Sequence, residues 1–423
     1  MKKIICLFII ITAFSCSKPS PNDNPSNDSP SSDSPSIGMD ATKPDTIHSR
    51  VLTLDSHIDI SFDFATSLQD PLQADIQANL EKMQIGGLDS AFFIVYVGQA
   101  ERTQENYATA QAAALTKFLA IRRMAFELYP ERVGLAYSPS DVENIVAQEK
   151  IAAIIGIENG FVMGRDLSLL DKYYDLGARY MTLVHNGHND LGDSAQPREQ
   201  LGDGETEHGG LSELGIATVK RMNELGMMVD ISHAAKQTAL DVINASTASV
   251  IASHSGVRAL TDHPRNLDDE TLDALKANGG VVQIVAYNAY LKITPPGFLE
   301  ARRALNTLYG FEGRPELDKL DETLRAQYQQ ELAALNQQYP GADVDDLVDH
   351  IDYAVKRIGI DHVGISSDFG GGGGVIGWQD ASETANVTAE LVDRGYSEQD
   401  IQKLWGGNLL RVWRQIEQVA QGD

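Results

Sequence analysis

The chain has 423 residues, with 60 acidic against 34 basic side chains and a formal net charge of −26. So acidic a surface disfavours nucleic acid and direct adsorption to anionic lipid as partners. Only two cysteines are present, Cys6 and Cys16, both at the extreme N-terminus, so the fold is expected to stand on its apolar core without disulfides or thiolate ligands.

Met1-Lys2-Lys3 followed by the apolar run from Ile4 to Phe14 has the form of a signal segment, too short to cross a bilayer. It ends Ala13-Phe14-Ser15-Cys16, which resembles the lipobox of bacterial lipoproteins; the expectation is a signal peptide over 1–15 and an acylated Cys16 anchoring the chain to a membrane of the bacterial cell envelope. Residues 16–46 are Ser, Pro, Asn and Asp with almost no large apolar side chain, and are expected to be a disordered tether. The remainder, 47–423, is long for an average domain but suits one α/β barrel with insertions.

Val51-Leu-Thr-Leu-Asp55-Ser-His57-Ile-Asp59 reads as a strand whose His57 and Asp59, two residues apart, project to one side and can chelate one metal ion. A helix-like stretch near Leu72–Ile85 follows, then the strand Asp89–Val97, a long amphipathic helix over Ala108–Leu128 and another over Ser138–Glu149. Further apolar runs are Ile151–Ile157 into Glu158, Arg179–Val184 into His185, Met227–Ile231 into Ser232-His233, Ser249–Ser253 into His254, Gly280–Ala286 into Tyr287, and His362–Ser367 into Asp368. Eight short buried runs alternating with helical spacers argue for a parallel (β/α)8 barrel of the TIM type. Seven of the eight stop at a residue able to ligate a metal, move a proton or donate a hydrogen bond, and four of the ten histidines stand there. In a barrel all such C-terminal strand ends share one face, where active sites lie.

His57, Asp59, Glu158, His233 and His254 are too many ligands for one tetrahedral zinc with an open position. They fit two Zn²⁺ ions, with Glu158 as the bridge, His57 and Asp59 on one ion, and His233 and His254 on the other. Such a pair acidifies a bridging water and polarises a carbonyl, the equipment for amide hydrolysis. His185 is then placed to donate to an oxyanion, and Asp368 to carry a proton to the leaving amine. His188, His208 and His263 have no strand-end placement and are expected at the surface or behind the site.

The segments Asp55-Ser-His57-Ile-Asp59, Gly156-Ile-Glu158-Asn-Gly, Thr182-Leu-Val-His185-Asn, Asp230-Ile-Ser-His233-Ala, Ser253-His254-Ser, Pro264-Arg265-Asn266, Gly280–Asn288 and Gly364-Ile-Ser-Ser-Asp368-Phe, with Asn408-Leu-Leu-Arg411-Val near the end, resemble the membrane dipeptidase (renal dipeptidase) family of zinc peptidases. The resemblance spans about 48–420. It implies a dinuclear zinc peptidase cleaving dipeptides, tolerant of a D-residue at the C-terminal position, with Arg265 and Tyr287 binding the substrate carboxylate and a homodimer as possible assembly. On the residues alone Arg258 competes with Arg265 for that carboxylate. Residues 292–344, with a charged helical middle over Arg314–Gln338, form a long insertion with the character of a lid, an oligomer contact or a plain addition. Gly370–Gly374 suits a close backbone approach, a hinge or a flexible loop alike. Two other readings stay open: a related barrel hydrolase acting on another small amide, lactone or phosphoester, and a catalytically inactive binding lipoprotein.

Overall fold

A computed structural model describes residues 44–311 and 317–422. The expected signal segment, Cys16 and nearly all of the tether lie outside the described residues. The last three tether residues are structured instead: Pro44–His48 is a helix. Its Ile47 is buried, and its His48 ring is tied to Thr388 Oγ1 (2.7 Å) and to the Gly86 carbonyl (2.8 Å).

Among the described residues nine strands follow: β1 (Leu54–Asp59), β2 (Ser90–Tyr96), β3 (Val133–Leu135), β4 (Ile151–Glu158), β5 (Ala178–Thr182), β6 (Met228–Asp230), β7 (Ile251–Ser255), β8 (Val281–Val285) and β9 (Val363–Ser366). Eight run in parallel in the order β1-β2-β4-β5-β6-β7-β8-β9, and β3 flanks β4 off that path. The seam between β9 and β1 closes just past the strand ends. There Asp59 N–H donates to Phe369 O (2.7 Å) and Asp368 N–H to His57 O (3.1 Å), with a parallel bridge between Ile58 and Phe369. The fold is thus the expected barrel of eight parallel strands. The extra strand β3 escaped the sequence reading because Val-Gly-Leu is too short to carry a period.

The pleat explains why the strands read as continuous apolar runs. On β2, Ala91, Phe93 and Val95 face the helices, while Phe92 and Ile94 join Leu54, Ile154, Met228, Ile251 and Val281 inside the barrel. Trp413 and Leu410 of the last helix, Asn408–Gln421, pack into that inner cluster at the strand starts. This end is plugged, and the opposite end is left for chemistry.

The helix expected over Leu72–Ile85 is confined to Leu80–Gly86, because the Asn79 side chain accepts from Lys82 N–H (2.7 Å) and fixes the helix start there. The helix after β2 runs Gln104–Arg123, capped by Thr103, and ends in a π turn over Met124–Leu128. The described residues of the insertion include the α-helices Pro296–Leu308 and Glu322–Gln338. Val344–Ile358 follows with a capping box between Asp343 and Asp346.

His350 on that last helix ties two loops of the chemical end together: Val257 N–H donates to its Nδ1 (3.0 Å), and its Nε2 donates to Leu291 O (3.1 Å). Burial pushes this imidazole down to about 4. Because the folded value lies below that of the unfolded chain, folding resists the proton, and stability is lost as pH falls from about 6.5 to about 4. The full loss is about 3 kcal/mol. Urea midpoints measured at pH 7 and pH 4.5 in chelator are expected to differ less in His350→Gln than in the parent chain; equal differences would remove His350 from the acid response.

Candidate active site at the barrel mouth

The open end gathers His57 and Asp59 from β1, Glu158 from β4, His185 beyond β5, His233 beyond β6, His254 from β7, Tyr287 beyond β8 and Asp368 beyond β9. Sharp turns aim several of these side chains inward. His233 (φ 65°) and Asp368 (φ 58°) both have a positive φ, as does Asn159 (φ 81°) directly after Glu158, a backbone state uncommon for residues other than glycine. His233 Nε2 lies 3.0 Å and His254 Nε2 3.3 Å from Glu158 Oε1, and His57 Nε2 lies 3.7 Å from Glu158 Oε2 and 3.5 Å from Asp59 Oδ2. Three triads hold ligand atoms within 4.8 Å of one another: His57–Glu158–His254, Glu158–His185–His233 and His57–Asp59–Asp368. Glu158 is common to two of them.

The far side of each imidazole shows what this donor set is built for. Tyr180 hydroxyl donates to Ser56 O (3.1 Å), so at 2.8 Å it accepts from His57 Nδ1–H. Ser253 Oγ donates to the Asp230 carboxylate (2.6 Å), so it accepts from His254 Nδ1–H (2.8 Å). Asn186 Oδ1 accepts from His233 Nδ1–H (3.1 Å). Each Nε2 lone pair is therefore free to point at the same buried spot, and His233 Nε2 and His254 Nε2 stand only 2.9 Å apart. Two facing lone pairs repel unless a cation lies between or beside them. His57 Nε2 and Asp59 Oδ1 are buried without a hydrogen-bond partner. Both observations fit divalent ions ligated by imidazole and carboxylate.

The charges agree. Burial opposes the ionisation of Glu158, yet the histidines around it outweigh burial and hold its carboxyl well below the usual range. Burial pushes His233 and His254 well down and His185 down, disfavouring their charged forms. Burial lowers His57 too, but Glu158 and Asp59 overcome it and raise this ring well above its ordinary value. Burial, reinforced by the charges of Asp59 and Glu158, lifts the Asp368 carboxyl well up.

A cavity of ≈ 450 Å³ opens over these groups, with Tyr96, Lys117, Tyr287, Tyr290, Gly370 and Gly371 also in its wall. Arg265 borders a separate small pocket of ≈ 30 Å³ that shares His233 with the main cavity, and its guanidinium lies 5.3 Å from the Tyr290 ring centroid. Its Nη2 donates to His254 O (3.1 Å), while Nε is buried without a partner. Arg258, by contrast, is exposed and engaged with Asp262 at 2.8 Å. The glycine run has a close-approach role: a Cβ on Gly371 would overlap Asp59 Oδ2 and Asp368 Oδ1, and one on Gly372 would press on the Tyr287 ring.

Four contributors escaped the sequence reading. Gly156 leaves room for the Tyr180 ring, on which a Cβ would fall, and so lets Tyr180 reach His57 inside the barrel. Asp230, fully buried, accepts from Ser232 N–H (2.9 Å), Ser253 N–H (2.8 Å) and Thr182 Oγ1, and so locks the strand ends that carry His233 and His254. Tyr96 closes β2 against the His185 ring, centroids 4.7 Å apart. Lys117 breaks an apolar stripe, Tyr107, Ala110, Ala114, Phe118 and Ile121, as a charged residue among the buried positions of its helix. That placement was a readable signal. Of the remaining histidines, His188 is buried, with Ser194 N–H donating to its Nδ1 (3.0 Å), and His208 Nε2 bonds Asn189 O (2.8 Å); both hold the loop after His185. His263 Nδ1 accepts from Arg265 N–H (3.2 Å).

A sequence model described as membrane dipeptidase (peptidase family M19) matches residues 42–423. Among curated proteins, Dipeptidase verJ of Clonostachys rogersoniana is 33% identical over 351 residues, covering 81% of this chain and 76% of that protein. Dipeptidase aclJ of Aspergillus oryzae is 32% identical over 350 residues, covering 82% and 71%. Among solved structures, the probable dipeptidase PvdM from Pseudomonas aeruginosa superposes with a TM-score of 0.78 at 36% identity, over 89% of this chain and 98% of that one. A metallo peptidase from Rhodobacter sphaeroides liganded with a phosphinate mimic of the dipeptide L-Ala-D-Ala shares the fold, with a TM-score of 0.63 at 21% identity over 86% and 99%. The chain belongs to the membrane dipeptidase family, peptidase family M19.

Proposed function

We propose that the chain is a metal-dependent dipeptidase working with two zinc ions. The observation that carries this reading is the convergence of three imidazole Nε2 atoms on Glu158 and Asp59 at one buried point of a dipeptide-sized cavity. His57 and Asp59 would hold one ion, His233 and His254 the other, and Glu158 both. When bound, such a pair supplies a Lewis acid for the scissile carbonyl and a water that ionises near neutral pH.

The chain's own groups divide the remaining work. His185, whose charged form burial disfavours, offers an N–H to the oxygen on which charge develops. Asp368, with its raised carboxyl, holds a proton and passes it to the departing amine. Arg265 and Tyr287 receive the free carboxylate of the substrate, and the buried, partnerless Nε of Arg265 supports that role. A carboxylate anchor at a fixed distance from the metals measures substrate length and favours dipeptides over longer chains. Tolerance for a D-residue at the C-terminal position belongs to the proposal on the family resemblance. So does attachment to the bacterial cell envelope through lipid on Cys16, for which the N-terminal sequence is the support.

The deciding experiment is zinc content per chain together with hydrolysis of Ala-Ala, Gly-D-Ala, N-acetylated and C-amidated dipeptides before and after chelation. Two zinc ions and chelator-sensitive cleavage of the free dipeptides alone are expected; two metals with no dipeptide cleavage would redirect the search to another small amide or ester. Arg265→Ala is expected to cost about 3 kcal/mol of transition-state binding, roughly a hundredfold in kcat/KM, and full activity in that variant would remove the carboxylate anchor. Gly371→Ala should displace Asp59 and Asp368 and weaken zinc binding roughly ten- to a hundredfold. Zinc retained after dialysis measures this, and a parent-like value would show that the loop yields.

A further inference from the structure

Lys117 has no part in the mechanism above. It projects from the helix Gln104–Arg123 into the wall of the substrate cavity and is only 4% exposed. Its ammonium lies 5.1 Å from the Phe62 ring centroid and 5.6 Å from that of Tyr96, within cation–π range of both. Among the described residues no carboxylate comes within 4.0 Å of it. Burial disfavours its charge, offset only by the more distant Asp59 and Glu158, whose charge the metals would largely consume.

A buried ammonium held between two rings and turned to a cavity is an incomplete ion pair. The barrel order says where in the substrate its partner would sit. β2, which ends in Tyr96 beside Lys117, stands four places from β7 around the ring of eight, hence across the mouth from it. β7 leads into the loop carrying Arg265. A dipeptide with its carboxylate on the Arg265 side and its peptide bond over Glu158 turns its N-terminal residue towards the β2 wall. Resting on the dipeptidase reading, we propose that Lys117 is a specificity residue that pairs with an anionic side chain on the substrate's N-terminal residue, making dipeptides that begin with Glu or Asp preferred over their neutral isosteres.

The test compares kcat/KM of the zinc-loaded enzyme on Glu-Ala and Gln-Ala, with Ala-Ala as the reference for turnover. The parent is expected to favour Glu-Ala by roughly ten- to a hundredfold, chiefly through KM, since one member of each pair leaves the buried cation unanswered. In Lys117→Met the ratio should fall to about one, and in Lys117→Arg a preference for Glu-Ala should persist; Lys117→Gln serves in place of the Met variant if that fails to fold. Cleavage of Ala-Ala with no Glu-Ala preference in the parent would overturn this proposal and leave the dipeptidase reading standing. An undiminished ratio in Lys117→Met would assign the preference elsewhere. Failure to cleave any dipeptide would overturn both.

Discussion

An ionised carboxylate buried at the mouth of an apolar barrel must be met by positive charge, here that of the metal ions proposed above, and most of the architecture can be read as the support for that meeting at Glu158. Four imidazoles reach it from four different strand ends. Each of three is turned by a hydrogen bond on its far side, to Tyr180, Asn186 and Ser253. Those partners are themselves fixed, Tyr180 by the space at Gly156 and Ser253 by Asp230. The chemical end of the barrel is therefore a support for one electrostatic arrangement, resting on the apolar core below it.

Much of this was legible in the chain. Parallel strands buried on both faces read as short apolar runs, and a run that stops at His, Glu or Asp advertises the face on which barrels place their chemistry. Asp59, Glu158, His185, His233, His254, Tyr287 and Asp368 line one cavity for that reason, with His57 behind them against Asp59 and Glu158. Arg265 could be distinguished from Arg258 only through the family resemblance, because both lie in one loop and their burial is a tertiary property. Asn79 shows the opposite limit: periodicity suggested a longer helix, and a single side-chain cap shortened it.

What stayed hidden depends on contacts between neighbouring strands. Nothing local in Gly156 announces that its missing side chain is the berth of a tyrosine from the next strand, and nothing in Asp230 announces that it organises two histidine-bearing turns. Lys117 is intermediate. Its position within an apolar stripe marked it as anomalous, but only the cavity shows what the anomaly faces.

The seam between β9 and β1 has one more implication. His57 and Asp59 stand on the first strand, while Asp368 and the backbone that pairs with them come some three hundred residues later. A ribosome must therefore finish nearly the whole chain before these groups can meet. Nascent or truncated products that end before Asp368 lack both that carboxylate and the seam that holds β1, so the site is complete only once nearly all of the chain has been made.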